Sequence, residues 1–217
     1  MSSRLLTIVL AVAVAFSAVA FVPRLGSFHL PGNQRGYAPA QPIAFSHRLH
    51  TGELQVDCLY CHSGAEISRH AGVPAESVCM NCHKFVTAPL GAVQAEDQLA
   101  QKENRKPRPV VSSELAKLYR ALALDPNMQP ARGQTPAPLA WIKIHNLPDF
   151  AYFDHRAHVT AGVACQRCHG PVETMERVYQ VEDLSMGWCV NCHRQVNQTG
   201  VAGKTVTASL DCAACHH

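Results

Sequence analysis

The chain has 217 residues, of which 47% are apolar, 6% aromatic and 16% charged, and its formal charge is +3. That length suits one or two small domains. The aromatic content is too low for a large side-chain core. No basic cluster is interleaved with stacking aromatics, which excludes a nucleic-acid-binding surface. Fourteen prolines and thirteen glycines point to a loop-rich chain.

In chain order, the first predicted element is a mainly apolar run from Leu5 to Val22 with no charge, preceded by Arg4. As a helix it would be about 27 Å long, close to the roughly 30 Å hydrocarbon core of a bilayer. Two readings compete. Ala18-Val19-Ala20 fits a signal-peptide cleavage site, whereas the apolar run continuing through Phe21 and Val22 favours a retained anchor. Residues 1–26 are therefore expected to be a transmembrane helix, with a cleaved leader as the alternative. Arg4 on one side and Arg24 and Arg35 on the other leave the orientation open.

Next comes Phe45-Ser-His47-Arg-Leu-His50, followed by Cys58-Leu-Tyr-Cys61-His62 and Cys79-Met-Asn-Cys82-His83-Lys84. The same order recurs in Phe153-Asp-His155-Arg-Ala-His158, Cys165-Gln-Arg-Cys168-His169 and Cys189-Val-Asn-Cys192-His193-Arg194, with a fifth copy, Cys212-Ala-Ala-Cys215-His216, added at the end. All ten cysteines lie in these five C-x-x-C-H pentapeptides. This is the attachment sequence of c-type haem: two thiols add to the vinyl groups of one porphyrin and the adjacent His supplies an axial nitrogen. Zinc would pair the motifs and leave one over, with no task for the five histidines, and disulfides need no histidine at all. Five covalently attached c-type haems are expected, with His62, His83, His169, His193 and His216 as proximal ligands. About ten propionates would turn the formal +3 into about −7 with ferrous iron. Covalent haem attachment places the cysteines outside the cytoplasmic membrane, in agreement with the exported N-terminus.

The duplication suggests a dihaem module over 37–90 and a trihaem module over 141–217, separated by a linker over 91–140. In the linker, Ser112 to Leu124 reads as a short amphipathic helix with Ser113 as its cap, and Leu115, Leu118, Tyr119 and Leu122 at helical spacing. The surrounding prolines and the basic run Lys102 to Arg108 read as a solvated surface connection. The expected fold class is mostly α-helical and irregular, organised around stacked haems.

Closing each iron on its far side calls for further ligands. His47 and His50, and likewise His155 and His158, stand at i, i+3 on a helical turn, so each pair can serve two neighbouring haems. For the fifth haem, His145 in Trp141-Ile-Lys-Ile-His145-Asn-Leu-Pro-Asp-Phe is the first choice. Met186 is the rival, a thioether that would raise the haem potential, and His70 comes third. His29 and His217 are given no role.

F-x-H-x-x-H before C-x-x-C-H resembles the class III multihaem cytochromes, in which those histidines ligate two different haems. The strings Val73-Pro74 to Lys84, Trp141 to Asp149, Tyr152 to His155 and Met186 to Arg194 are similar to the pentahaem cytochrome subunits of bacterial alternative complex III. The resemblance covers most of the chain and least of all residues 91–138. It implies a single-pass subunit of the cytoplasmic membrane with its haem domain on the periplasmic side. It also implies an iron–sulfur and molybdopterin-like partner, quinol-oxidising integral membrane subunits, a monohaem cytochrome c subunit and a periplasmic electron acceptor. No independent catalytic site is expected. The competing functions are a membrane-anchored quinol dehydrogenase feeding a periplasmic reductase and a soluble periplasmic shuttle.

Overall fold

The computed structural model describes residues 3–25 and 34–216, with side chains of the first helix described from Ser3 to Val19. Helix α1 (Ser3–Leu25) is followed by a π-helical turn (Arg48–Glu53) and by α2 (Cys58–Cys61), α3 (Gly64–Ile67), α4 (Glu76–His83), α5 (Leu90–Lys102) and α6 (Ser113–Ala121). After an extended stretch come α7 (His155–Ala161), α8 (Gln166–His169), a 3₁₀ turn (Val172–Thr174), α9 (Met186–Thr199) and a last 3₁₀ turn (Cys212–Ala214). Among the described residues the only β-pairing is three isolated bridges, Leu124 with Pro130, Ala151 with His216 and Val201 with Lys204. The mostly helical, irregular architecture expected from the sequence is the one observed.

The described side chains of α1 are exposed all round, from Leu5 (49%) to Phe16 (75%) and Val19 (73%). Counted over described residues, no helix is long and apolar enough to cross a membrane. The apolar stretch with described side chains, Leu5 to Val19, spans only about 22 Å at the helical rise. Met1, Ser2 and Gly26, which belong to the expected anchor, lie outside the described residues, as does His29.

Short polar side chains start several of the cysteine-bearing turns. The Asp57 carboxylate accepts from the Leu59 N–H at 2.7 Å, just ahead of Cys58. Asp211 accepts from Ala213 at 3.1 Å ahead of Cys212, and Ser185 from Trp188 at 3.2 Å at the start of α9. Each cap satisfies an N–H with no partner inside the helix and so sets the first turn. At the far end of α7, Gly162 adopts φ +89°, a left-handed conformation that closes the helix at little cost for glycine.

The linker departs from its sequence expectation. Helix α6 is present, but Ser112 rather than Ser113 caps it, accepting from Leu115 N at 3.3 Å, and it ends at Ala121. Helix α5 was not foreseen. The linker also supplies most of the buried apolar side chains: Ala100 is 1% exposed, Leu118 and Tyr119 2%, and Ala123 7%. Instead of simply covering the surface, it packs behind the second motif, and the Tyr119 hydroxyl donates to the carbonyl of His83 at 2.7 Å. The basic run is tied down as well. Arg105 pairs with Glu96 and Glu103, both at 2.5 Å, and the N–H of Arg108 donates to Glu96 at 2.7 Å.

The two repeats interlock. The π-helical turn packs on the 3₁₀ turn Val172–Thr174, and α3 packs on α7. Arg48 N–H donates to the Met175 carbonyl at 2.9 Å, and Ser46 Oγ and Arg48 Nε reach Glu176 at 2.8 and 3.0 Å. The Arg69 guanidinium lies 4.4 Å over the Tyr152 ring. Gln41 and Ile142 exchange two hydrogen bonds, at 2.9 and 2.8 Å. Even so, the polypeptide exposes 15162 Å², where a compact protein of 23.6 kDa would expose about 9,800 Å². Among the described residues only Ala65, Ala88, Ala100, Leu118, Tyr119, Ala123 and Met175 are buried apolar side chains.

Two consequences can be measured. A Cβ at Gly52 would stand 2.2 Å from the backbone oxygen of Glu173, so Gly52→Ala should part the two repeats. The expected cost is about 1–3 kcal/mol, read as a lower denaturation midpoint with the haem content unchanged. The Arg105 hydrogen bond, followed by the one from the Arg108 backbone, holds the Glu96 carboxyl down at about 2 against an ordinary 4.5. Its contribution is therefore present above about pH 4.5 and lost as pH falls toward 2. Glu96→Gln should remove that part of the acid sensitivity of the linker, followed by Trp and Tyr signals during acid titration.

Candidate haem-binding sites

An imidazole binds a metal through one nitrogen only when that nitrogen carries no proton, so the other must carry the proton and donate it. Seven histidines meet this condition through a backbone carbonyl. His62 Nδ1 lies 2.6 Å from Gly72 O, His83 Nδ1 2.8 Å from Val86 O, His193 Nδ1 2.6 Å from Ser209 O and His216 Nδ1 3.3 Å from Phe150 O. His50 Nδ1 lies 2.8 Å from Ser46 O, His155 Nδ1 2.8 Å from Arg69 O and His158 Nδ1 2.8 Å from Asp154 O. With Nδ1–H donated in this way, Nε2 of each ring keeps its lone pair.

The rings then face one another in pairs. His47 and His62 have centroids 6.4 Å apart and planes 2° apart, and His155 and His169 are 6.2 Å apart at 9°. His50 and His83 are 6.1 Å apart at 62°, and His158 and His193 are 6.0 Å apart at 34°. A single iron held by two Nε2 atoms, each about 2 Å away, would put the two centroids about 6.3 Å apart. All four pairs fit that spacing. Each pair joins one histidine of an F-x-H-x-x-H string to the histidine of one C-x-x-C-H motif.

The phenylalanine of each string has a matching place. Phe45 stacks on His50 (4.3 Å, 23°) and meets His47 edge-on (4.9 Å, 82°). Phe153 does the same with His158 (4.5 Å, 30°) and His155 (4.8 Å, 86°). The ring keeps the two imidazoles apart and sets their relative tilt. The F-x-H-x-x-H spacing was the available sign of this role, although sequence reasoning gave the phenylalanine none. In the first repeat the pair sits on a π-helical turn, with the Leu54 N–H reaching back to Leu49 O at 3.0 Å. Such wide turns are common at functional sites. In the second repeat the pair sits on ordinary α-helix, so the i, i+3 spacing works in both backbones.

Burial keeps the inner rings neutral. It pushes His47 and His145 down to about 4 and His169 to about 3, with neighbouring imidazoles adding to the effect. His158 is also lowered, first by burial. The Nδ1 of His47 is buried without a hydrogen-bond partner.

None of the ten cysteines forms a disulfide. Among the described residues no three His, Cys, Asp or Glu side chains converge to hold a metal directly. A zinc site needs such a cluster, whereas haem iron takes four nitrogens from the porphyrin and needs only one or two from protein, so the donor set fits haem. The thiols also show which motifs are neighbours. Burial raises Cys61 and Cys79, and after burial the largest influence on Cys61 is Cys82 and on Cys79 is Cys61. Cys58 is raised by burial and then by the neighbouring Cys165 thiol. Burial pushes Cys168 up to about 11, helped by Cys192 and Cys189, and Cys189 is raised by burial and then by Cys215. Hydrogen bonds place neighbours directly: Asn81 donates to the Tyr60 hydroxyl at 2.9 Å, Arg167 reaches Gln195 at 3.5 Å and His193 Nδ1 meets Ser209 O at 2.6 Å, so the second motif lies beside the first, the third beside the fourth, and the fourth beside the segment leading to the fifth.

The candidates for the fifth site are scattered. His145 does not face His216. Its Nε2 lies 3.3 Å from Nδ1 of His169, with the rings 4.4 Å apart at 81°. Met186 opens α9 and is 65% exposed. His70 is exposed, and its backbone N–H meets Ser68 Oγ at 3.3 Å. His216 has the Phe150 ring at 5.8 Å. His217 lies outside the described residues.

Residues 151–217, which hold the second F-x-H-x-x-H string and the last three motifs, match the family described as cytochrome c7 and related cytochrome c. The chain is also 24% identical over 196 residues to the menaquinone reductase multiheme cytochrome c subunit of Nitratidesulfovibrio vulgaris, across 81% of this chain and 76% of that protein. These similarities and the motifs agree on the chemistry: a multihaem cytochrome c with covalently bound c-type haem, involved in electron transfer.

The pairing makes a directed prediction. His50→Ala should leave every haem attached and open the one held by Cys79 and Cys82. A new high-spin ferric signal, or carbon monoxide binding on reduction, would report the opening. If the ferric spectrum stays wholly low-spin, His50 is not a ligand.

Proposed function

We propose that the chain is a membrane-anchored pentahaem relay, one subunit of a quinol:acceptor oxidoreductase of the alternative complex III kind, with no substrate site of its own. The observation that carries this reading is the set of four facing imidazole pairs at 6.0–6.4 Å, since an iron closed on both faces exchanges electrons but binds no substrate; His216 has the Phe150 ring beside it instead of a facing imidazole. Haem, when bound, supplies one-electron ferric–ferrous chemistry.

The chain's own residues do the rest. Each cysteine pair would anchor one group, the four facing histidine pairs would close four of the irons, and backbone carbonyls keep seven of the imidazoles in the tautomer that leaves Nε2 free. Hydrogen bonds from the Arg48 N–H to the Met175 carbonyl and from His155 to the Arg69 carbonyl join the two repeats, so that the five attachment sites would form one row. The Cys79 and Cys212 sites would stand at its ends, and exposed apolar side chains flank both: Phe85 (77%), Val86 (56%) and Leu90 (71%) beside the first, and Phe150 (62%) and Leu210 (52%) beside the second. These ends suit the iron–sulfur and molybdopterin-like subunit on one side and the monohaem cytochrome c subunit or periplasmic acceptor on the other.

Support for the anchor is the apolar, outward-facing surface of α1, which water solvates poorly and lipid would cover. The helix spans 23 residues, about 34 Å at the standard rise. Quinol-oxidising membrane subunits would then sit beside it, with the haem domain on the periplasmic side.

The relative's name favours a second reading. A menaquinone reductase subunit belongs to a complex that reduces the quinone, which is the opposite direction. The same row of sites serves either direction.

The experiment is to purify the chain with its membrane neighbours, weigh the holo-polypeptide and follow haem absorbance. Five haems by mass, and reduction by a quinol only in the presence of the partner subunits, are expected. Reduction by quinol of the isolated chain would overturn the relay reading. Reduction only by a soluble donor, followed by quinone reduction, would establish the second reading instead.

A further inference from the structure

His169 differs from the other motif histidines in what holds its Nδ1. His62, His83, His193 and His216 each use a backbone carbonyl. His169 Nδ1 meets the side-chain Nε2 of His145 at 3.3 Å, with ring planes at 81°. If His169 presents Nε2 to iron, its proton is on Nδ1 and His145 Nε2 must be the acceptor. His145 then carries its own proton on Nδ1. In that state Nε2 of His145 has spent its lone pair on His169 and has none for an iron.

The segment carrying His145 is placed to do this. Ile142 is clamped to Gln41 by reciprocal hydrogen bonds, and Ala151 is bridged to His216. Between these two fixed points the segment supplies Nε2 of His145 to His169 and the carbonyl of Phe150 to His216. One extended stretch thus holds the outer nitrogens of two motif histidines.

We propose that His145 is a positioning residue for the haem attached at Cys165 and Cys168, accepting the Nδ1 proton of His169, and is not an axial ligand of the fifth haem. This rests on the reading of the motifs as haem sites. An outer hydrogen-bond acceptor fixes the orientation of a ligating imidazole and raises its basicity. A more basic ligand favours the ferric state, so the interaction holds down the potential of that haem.

The test is a potentiometric titration of the intact protein, with haem number checked by mass, in wild type, His145→Ala and His145→Gln. The expected result is five haems in all three proteins, an all-site spin state unchanged from wild type, and one potential moved upward in His145→Ala while the others stay put. The displaced wave should be the one also altered by His155→Ala, which perturbs the same haem from its other face. His145→Gln keeps an acceptor near His169 and should return the wave part of the way. Appearance of a new high-spin or carbon monoxide-binding haem in His145→Ala would make His145 an axial ligand and overturn the proposal. So would five potentials all unmoved with five haems retained. Absence of haem by mass would overturn the haem reading itself, an outcome distinct from both.

Discussion

The architecture depends on where the second proton of each imidazole goes. A histidine ring that offers Nε2 to iron must dispose of the hydrogen on Nδ1, and inside a protein that means a fixed acceptor. Among the described residues seven rings find a carbonyl and one finds another imidazole, while Nδ1 of His47 is buried without a partner. Each acceptor orients a ring in its plane, and the facing pairs at 6.0–6.4 Å result. Several of these acceptors lie outside the ring's own turn: Arg69 for His155 crosses from the first repeat to the second, and Ser209 for His193 comes from the segment leading to the last motif. The loops are therefore held by the same contacts that fix the imidazole tautomers. This is how a chain with few buried apolar side chains keeps a defined shape.

Joining the repeats follows from the same economy of contacts. Glu176 receives Ser46 and Arg48, and the Arg69 carbonyl receives His155. The links between the repeats thus gather beside the first and third motifs. These contacts join the two duplicated halves of the chain at their inner ends. Helices α5 and α6 stand apart from this scheme. They form a small conventional core tied to the rest by the Tyr119 hydrogen bond to the backbone of His83, by Glu114 accepting from the Ala44 N–H and by Thr87 donating to the Val110 carbonyl.

Much of this was legible in the residues. The pentapeptides declare their chemistry locally, because thiol addition and the adjacent ligand need only a few consecutive positions. The Phe-His-His strings were legible for the same reason, being one turn long and repeated. Helix α5 was not. Pro89 before it and the Lys-Pro-Arg-Pro run after it read as linker, and its sequence has no strong apolar stripe. Its helical residues, rich in Ala, Gln and Leu, were outweighed in that reading by the flanking prolines. His145 was misleading in another way: a lone histidine in a string of apolar and turn residues shows that an imidazole is present, not which of its nitrogens is engaged.

The sequence by itself determined the cofactor chemistry, the number of attachment motifs, the duplication and the four histidines that face motif rings. These are encoded by side-chain identity over short spans. Tertiary structure alone decided which ring meets which, which motifs lie side by side and what His145 touches. The reason is that most Nδ1 acceptors are main-chain carbonyls, which every residue possesses. No pattern of side chains marks which carbonyl will be used until the chain has folded around the site.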